Sequence, residues 1–321
     1  MSVTPGTVTV THTTIKTSVW PGLESLTIVG CRRALIRPLG LLRLLQLLST
    51  CLTFSLVAHG RAWMGSMGNW CMFSWCFCFS MTLVILIIEL SGLQNRIPLS
   101  WLNFPITCTS YGVLFCLSSS IIYPITYVRF LAYGYARNHA VSATIFSCIA
   151  CVSYITEVTW TQERPGGITG YMATVPGQLK VFESFVACVI FLFISNPYLY
   201  KFEPVLEWCV AVYAICFILT MVTIILNLVN CTNIVPIPFS TFLTGITFLC
   251  VLLYTTAIVL WPLYQFSEGF HGQPHRTMDA TCLYKRPHSV CVWDRRLAVS
   301  VLTGVNLLAY MADFIYSGTK V

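Results

Sequence analysis

The chain has 321 residues, of which 9% are charged and 56% hydrophobic, with a formal net charge of +7 and a mean hydropathy of +0.77. A water-soluble globule of this size does not carry so little charge over so much apolar material, so the bilayer is its solvent. The basic residues are spread over loops and form no stripe with interleaved aromatics, which argues against a nucleic-acid partner.

Residues 1–30 are Thr-rich and too poor in apolar residues to form a core, so they read as a flexible tail. No cleavable signal peptide is expected, because the first apolar run is as long as a true span and is followed by more. Eight such runs follow, each long enough at 1.5 Å per residue to cross roughly 30 Å of hydrocarbon. In the first part of the chain they lie near Leu39–Ala58, Trp70–Leu90, Ile106–Val128 and Ala140–Trp160. In the second they lie near Leu179–Ser195, Trp208–Leu228, Phe242–Leu263 and Leu297–Tyr316. No formal charge occurs between Glu207 and Glu268, so the turn joining the sixth and seventh runs lies close to the headgroups. Placing both termini in the cytoplasm splits the 18 Lys and Arg residues evenly. The cluster Arg32, Arg33, Arg37 and Arg43 flanking the first run then decides for that orientation, since early charges weigh most in the positive-inside bias.

The runs repeat. Trp70, Cys71, Cys78, Phe79, Thr82 and Leu90 recur 138 residues later as Trp208, Cys209, Cys216, Phe217, Thr220 and Leu228. Gly40, Arg43 and Gln46 face Gly177, Lys180 and Glu183, and Tyr154 and Glu157 face Tyr310 and Asp313. Each half is therefore four helices, and an even number gives both halves one orientation, a parallel repeat. Pro165, Gly166 and Gly167 mark the linker. The boundaries are a tail over 1–30, a first unit over 31–163, a linker over 164–170 and a second unit over 171–318.

Ionisable residues inside spans are costly enough to be functional candidates. Arg43, Glu89 and Glu157 fall at one face of the first unit, and Lys180, Glu183 and Asp313 at the same face of the second, with Asn227 in place of the acid at the Glu89 position. One reading is a polar latch between helices at the cytoplasmic rim; the others are side chains that merely snorkel to the headgroups, or a transport site. Cys282 and Cys291 sit in the long last loop, which this orientation exposes to an oxidising compartment, so they are candidates for a disulfide, with free thiols or a zinc site using His271, His275 or His288 as alternatives. Cys31 and Cys231 lie near the cytoplasmic surface and are candidates for palmitoylation. The sequon Asn230, Cys231, Thr232 falls on the cytoplasmic side and is expected to be silent. Tyr123 with Pro124, and Trp261 with Pro262, read as interfacial anchors followed by a kink or helix end. Ser118, Ser119, Ser120, Ala143 and Ser147 are small enough to let helix backbones approach.

The segments Gly40–Cys51 (GLLRLLQLLSTC), Met67–Ser80 (MGNWCMFSWCFCFS), Ile168–Gly177 (ITGYMATVPG), Glu207–Leu219 (EWCVAVYAICFIL), Leu260–Phe266 (LWPLYQF) and Trp293–Ser300 (WDRRLAVS) closely resemble the myeloid-associated differentiation marker family. The resemblance implies an all-α fold of two parallel-repeat, four-helix MARVEL bundles. It also implies a link with cholesterol-rich membrane patches, vesicle traffic and cell junctions, and no enzymatic activity. The sequence shows no phosphate-binding loop, metal-ligand cluster or deep carboxylate pair, and no cofactor is expected. The expected function is membrane organisation, with lipid and other membrane or cortical proteins as partners, at the plasma membrane and in trafficking vesicles. The alternative is a small-solute or ion transporter. Such proteins usually place polar groups near the midplane, where Asn306 stands without an amide at its repeat position, Ala150.

Overall fold

The computed structural model describes residues 38–61, 63–163, 170–201, 203–231, 238–270, 272–283 and 290–318. Its eight long helices are α1 (Pro38–Gly60), α2 (Ser66–Ser91), α3 (Phe104–Thr126), α4 (Tyr135–Gln162), α5 (Val175–Phe193), α6 (Pro204–Leu228), α7 (Phe239–Phe266) and α8 (Val292–Gly318). All eight are long and apolar enough to cross a membrane. Helix is the form expected of such runs, because in lipid the backbone must satisfy its own N–H and C=O groups. α4 and α8 begin earlier than their hydropathy suggests. Their first turns hold Arg137, Asn138 and His139, and Asp294, Arg295 and Arg296, which lower the hydropathy without breaking the helix. The Gly166–Gly167 linker lies outside the described residues.

Neighbouring helices run antiparallel and close into two rings, α1 to α4 and α5 to α8, with α1 against α4 and α5 against α8. The rings meet where α5 packs on α3 and on the edge of α2. For this reason 67% of the apolar window of α5 is buried, against 33–44% in the other helices.

The repeat seen in the sequence is a repeat of contacts. Thr82 bonds the Tyr154 hydroxyl at 2.7 Å, and Thr220 bonds Tyr310 at 2.9 Å. The Trp70 indole donates to Ser118 at 3.2 Å, and Trp208 donates to Thr256 at the same distance. Trp75 donates to Ser147 at 2.9 Å where Tyr213 meets Thr303 at 2.8 Å. Small hydroxyl residues thus bring helices close and also receive the polar edge of a large aromatic, which packs well in lipid, where burial from water gives helices no reason to associate. The interfacial reading of Tyr123 and Trp261 is corrected here. Both rings are fully buried in the bundles: Tyr123 packs edge-on against Trp75, and Trp261 donates to the Arg296 carbonyl at 3.2 Å. Their prolines lie inside α3 and α7, which continue beyond them to Thr126 and Phe266.

Polar and aromatic contacts join the rings. Tyr111 bonds Ser184 at 2.6 Å, and Phe115 meets Phe185 edge-on at 5.4 Å. At the end of the molecule where α1 starts and α8 stops, the Asn103 amide donates to the Asn227 carbonyl at 3.1 Å and accepts from the Met172 N–H at 3.2 Å. Gly170 leaves room for it, since a Cβ there would stand 2.0 Å from Asn103 Oδ1 and displace that amide. Asn103→Leu leaves two buried backbone groups unpaired, each costing roughly 1–3 kcal/mol. The expected result is a broadened distance distribution between spin labels on the two bundles, with the distances inside each bundle unchanged.

Candidate functional site

Two buried ionic clusters lie at the same end of the two rings. In the first, Arg43 sits about 7.5 Å into α1, counting 1.5 Å per residue from Pro38. Its Nε donates to Glu157 of α4 at 2.7 Å, and its guanidinium also pairs with Glu89 of α2. Gln46, one turn on, donates to the second oxygen of Glu157 at 2.7 Å. Arg43 is 4% exposed and Glu157 2%; Glu89, with 24% of its side chain exposed, is the member nearest the outside.

In the second cluster Lys180 of α5 donates to Asp313 of α8 at 2.7 Å, to Glu183 at 3.1 Å and to the Thr247 hydroxyl of α7 at 3.0 Å. Thr247 in turn donates to Asp313 at 3.0 Å. All four side chains are fully buried. Desolvation makes isolated charges at this depth very unfavourable, and a close partner with further hydrogen bonds is what offsets it. The geometry here is one of side chains turned inward to one another, with Glu89 alone partly outward.

The clusters share a plan and differ in one member. The base is contributed by the first helix of each ring, Arg43 or Lys180, and an acid by the last, Glu157 or Asp313. The second acid of the first cluster is Glu89. Its repeat equivalent, Asn227, instead donates to Thr223 at 2.8 Å, and its backbone carbonyl accepts from Asn103 between the rings. The second acid of the other cluster is Glu183, at the repeat position of Gln46. One base and two acids are kept while the helix that supplies an acid changes. Gln46 and Thr247 are members that sequence reasoning did not single out; the spacing of Gln46 one turn from Arg43 was the available signal.

The loop between α7 and α8 forms the second feature, at the opposite end. Cys282 and Cys291 lie at disulfide distance, sulfur to sulfur 2.07 Å. Asp279 organises the loop: it accepts from the Thr281 N–H at 2.8 Å, the Thr281 hydroxyl at 2.7 Å and the Trp293 N–H at the start of α8 at 2.7 Å. Burial alone would raise this carboxyl, but those donors and the charge of Arg296 outweigh it and hold the group below its ordinary value. A depressed carboxylate stabilises the fold above its unfolded pKa of about 3.9, and the contribution is lost as pH falls through the lower folded value. Amide protection factors at Thr281 and Trp293 are therefore expected to hold from neutrality to about pH 4 and to collapse below it, and Asp279→Ala to abolish them throughout. Unchanged protection in Asp279→Ala would refute this role.

Of the other candidates, Cys31, His271 and His288 lie outside the described residues, as does Thr232 of the sequon. Cys231 is half-buried just past α6, and Asn230 beside it is exposed. Asp279, Cys282 and Cys291 bring their ligand atoms within 4.8 Å of one another, but two sulfurs at bonding distance are not thiolate ligands.

Comparison with known proteins follows the same division into halves. The profile of the MARVEL family, a membrane-associating domain, matches twice, over residues 34–160 and 171–316. The chain is 66% identical to the mouse (Mus musculus) myeloid-associated differentiation marker, an alignment covering 97% of each chain. It is 49% identical to a Xenopus laevis homolog, over 91% of this chain and 95% of that one. It is 38% identical to the bovine (Bos taurus) myeloid-associated differentiation marker-like protein 2, over 88% and 92%. No solved structure matches.

Proposed function

Because the chain belongs to the myeloid-associated differentiation marker family of multi-pass, MARVEL-containing membrane proteins, we propose that it organises membrane domains and has no enzymatic activity. It gathers lipid, including cholesterol-rich patches, and membrane or cortical proteins around a rigid pair of bundles, at the plasma membrane and in trafficking vesicles with both termini in the cytoplasm. The observation that carries this reading is the filled interior of each bundle. Trp75 in the first, and Tyr213 and Tyr254 in the second, are fully buried near the middle of their helices, and Tyr123 and Trp261 are fully buried nearer the helix ends. A transporter of duplicated bundles would instead keep polar or unwound helix near its midplane. The ionic clusters serve in this reading as latches that fix helix order at the cytoplasmic rim, the loop cysteines as a disulfide that holds the outer loop, and Cys31 and Cys231 as acylation sites that add membrane attachment.

The test reconstitutes the purified full chain in vesicles with and without cholesterol. Cholesterol-dependent clustering without solute flux is the expected outcome, and flux into vesicles holding only this protein would overturn the proposal. Glycan attachment at Asn230 in cells would invert the orientation.

A further inference from the structure

The two rings do not close against each other along their whole height. Between α3, α4 and α5 lies a cleft with an outer cavity of about 620 Å³, whose mouth carries Gln162, Thr174 and Gln178. An inner cavity of about 200 Å³, walled by Val113, Leu114, Val158 and Val181, continues it, and Gln178 and Phe182 line both. The outer volume is in the range, roughly 300–1,000 Å³, of sites that take a small apolar ligand. Among the described residues, no charged side chain lines either cavity.

At the inner end stands Ser110, 5% exposed, with an Oγ that has no hydrogen-bond partner among the described residues. Its neighbours on α3 behave differently: Thr107 donates to the Asn103 carbonyl and Thr109 to the Pro105 carbonyl, both at 2.8 Å. A buried hydroxyl that forgoes the backbone bond open to it is the mark of a group awaiting a partner. Gln178, which lines the inner cavity together with Ser110 as well as the outer one, uses its Nε2 on the Met172 carbonyl at 2.5 Å, which leaves its side-chain carbonyl as an acceptor.

We propose that this cleft binds a neutral membrane lipid headed by a free hydroxyl, drawn from the leaflet at the end where α1 starts. The lipid hydroxyl donates to Gln178 and accepts from Ser110, while its chain lies along Phe182 and the aliphatic wall. Three observations select this occupant. The walls belong to helices that span the membrane and stay partly exposed, so lipid is what surrounds them. A phosphate head would lose its hydration and gain no cation from the described lining residues. Most of the inner wall is aliphatic or aromatic, which suits a lipid chain and not a file of waters. The inference goes beyond the organising role proposed above and needs only that the chain sits in a bilayer.

The experiment uses the full chain in phosphatidylcholine vesicles and three probes carrying one photoreactive tail: a diacylglycerol, the same molecule with its hydroxyl acetylated, and a phosphatidylcholine. The diacylglycerol is expected to label peptides spanning 110–114 and 178–182, with the other two labelling them roughly threefold to tenfold less, the worth of one neutral hydrogen bond. Ser110→Ala is expected to remove that preference, and Phe182→Trp to block labelling by filling the cleft. Circular dichroism and the cholesterol-dependent clustering assay serve as controls on folding. Equal labelling by all three probes would overturn the proposal. So would a preference unchanged in Ser110→Ala, or cross-links from the cleft to residues 1–37 or to a second copy of the chain.

Discussion

Lys180→Met lowers the stability of the second bundle by about 3–5 kcal/mol, the cost of leaving buried charge without its counter-ion. Methionine keeps most of the lysine stem, so packing changes little and the loss is electrostatic. What remains is Glu183 and Asp313, both fully buried, with one oxygen of each already lacking a hydrogen-bond partner among the described residues. Thr247 alone stays bonded to Asp313. Glu183→Gln is the contrasting change: it removes one of two acids that share a single base, keeps the side-chain shape, and is expected to cost much less. Adding Glu183→Gln and Asp313→Asn to Lys180→Met makes the set neutral and recovers most of the loss, since neutral replacements of a buried ionic set are often tolerated. Unfolding midpoints of the four proteins in detergent micelles measure this order. If Lys180→Met and Glu183→Gln cost the same, the cluster contributes packing and not charge pairing.

Much of this was legible in the sequence for a physical reason. A run of some 20 apolar residues has one stable form in lipid, so the eight spans follow from length and hydropathy. The repeat gave the pairing of halves, because Trp70 and Trp208, 138 residues apart, and Tyr154 and Tyr310, 156 apart, each perform the same contact twice. What escaped was direction around each helix axis. In a soluble bundle the apolar stripe points inward, but helices apolar all round carry no such signal. Tyr123 and Trp261 therefore read as interfacial anchors when they are core. Ser110 looked like any other helical serine; that its Oγ lacks a partner among the described residues and lines a cleft with α5 appears only in three dimensions. Nor could the sequence show that Asn227 left the ionic cluster to take part in the contact between rings.

The second large effect uses the repeat as its own control. Gln46→Glu alone is expected to destabilise the first bundle by about 3–5 kcal/mol, because it places a third acid where one base is available. Gln46 Nε2 stands 2.7 Å from Glu157 Oε2, so the substitution turns a donated hydrogen bond into a carboxylate against a carboxylate. Glu89→Asn alone is expected to be mild, since 24% of the Glu89 side chain is exposed and solvent already screens it. Combining the two reproduces the plan of the second bundle, in which the second acid lies one turn from the base on the same helix and asparagine stands on the neighbouring one. Thr109, at the repeat position of Thr247, currently donates to the Pro105 carbonyl at 2.8 Å and by rotating can supply the donor that Thr247 gives Asp313. The double variant is therefore expected to regain most of what Gln46→Glu loses, a strong coupling between positions on different helices. Unfolding midpoints and delivery to the cell surface of the three variants both report it. Strict additivity of the two changes would mean that the halves do not share an electrostatic plan, and that their one-base, two-acid composition is a coincidence of sequence.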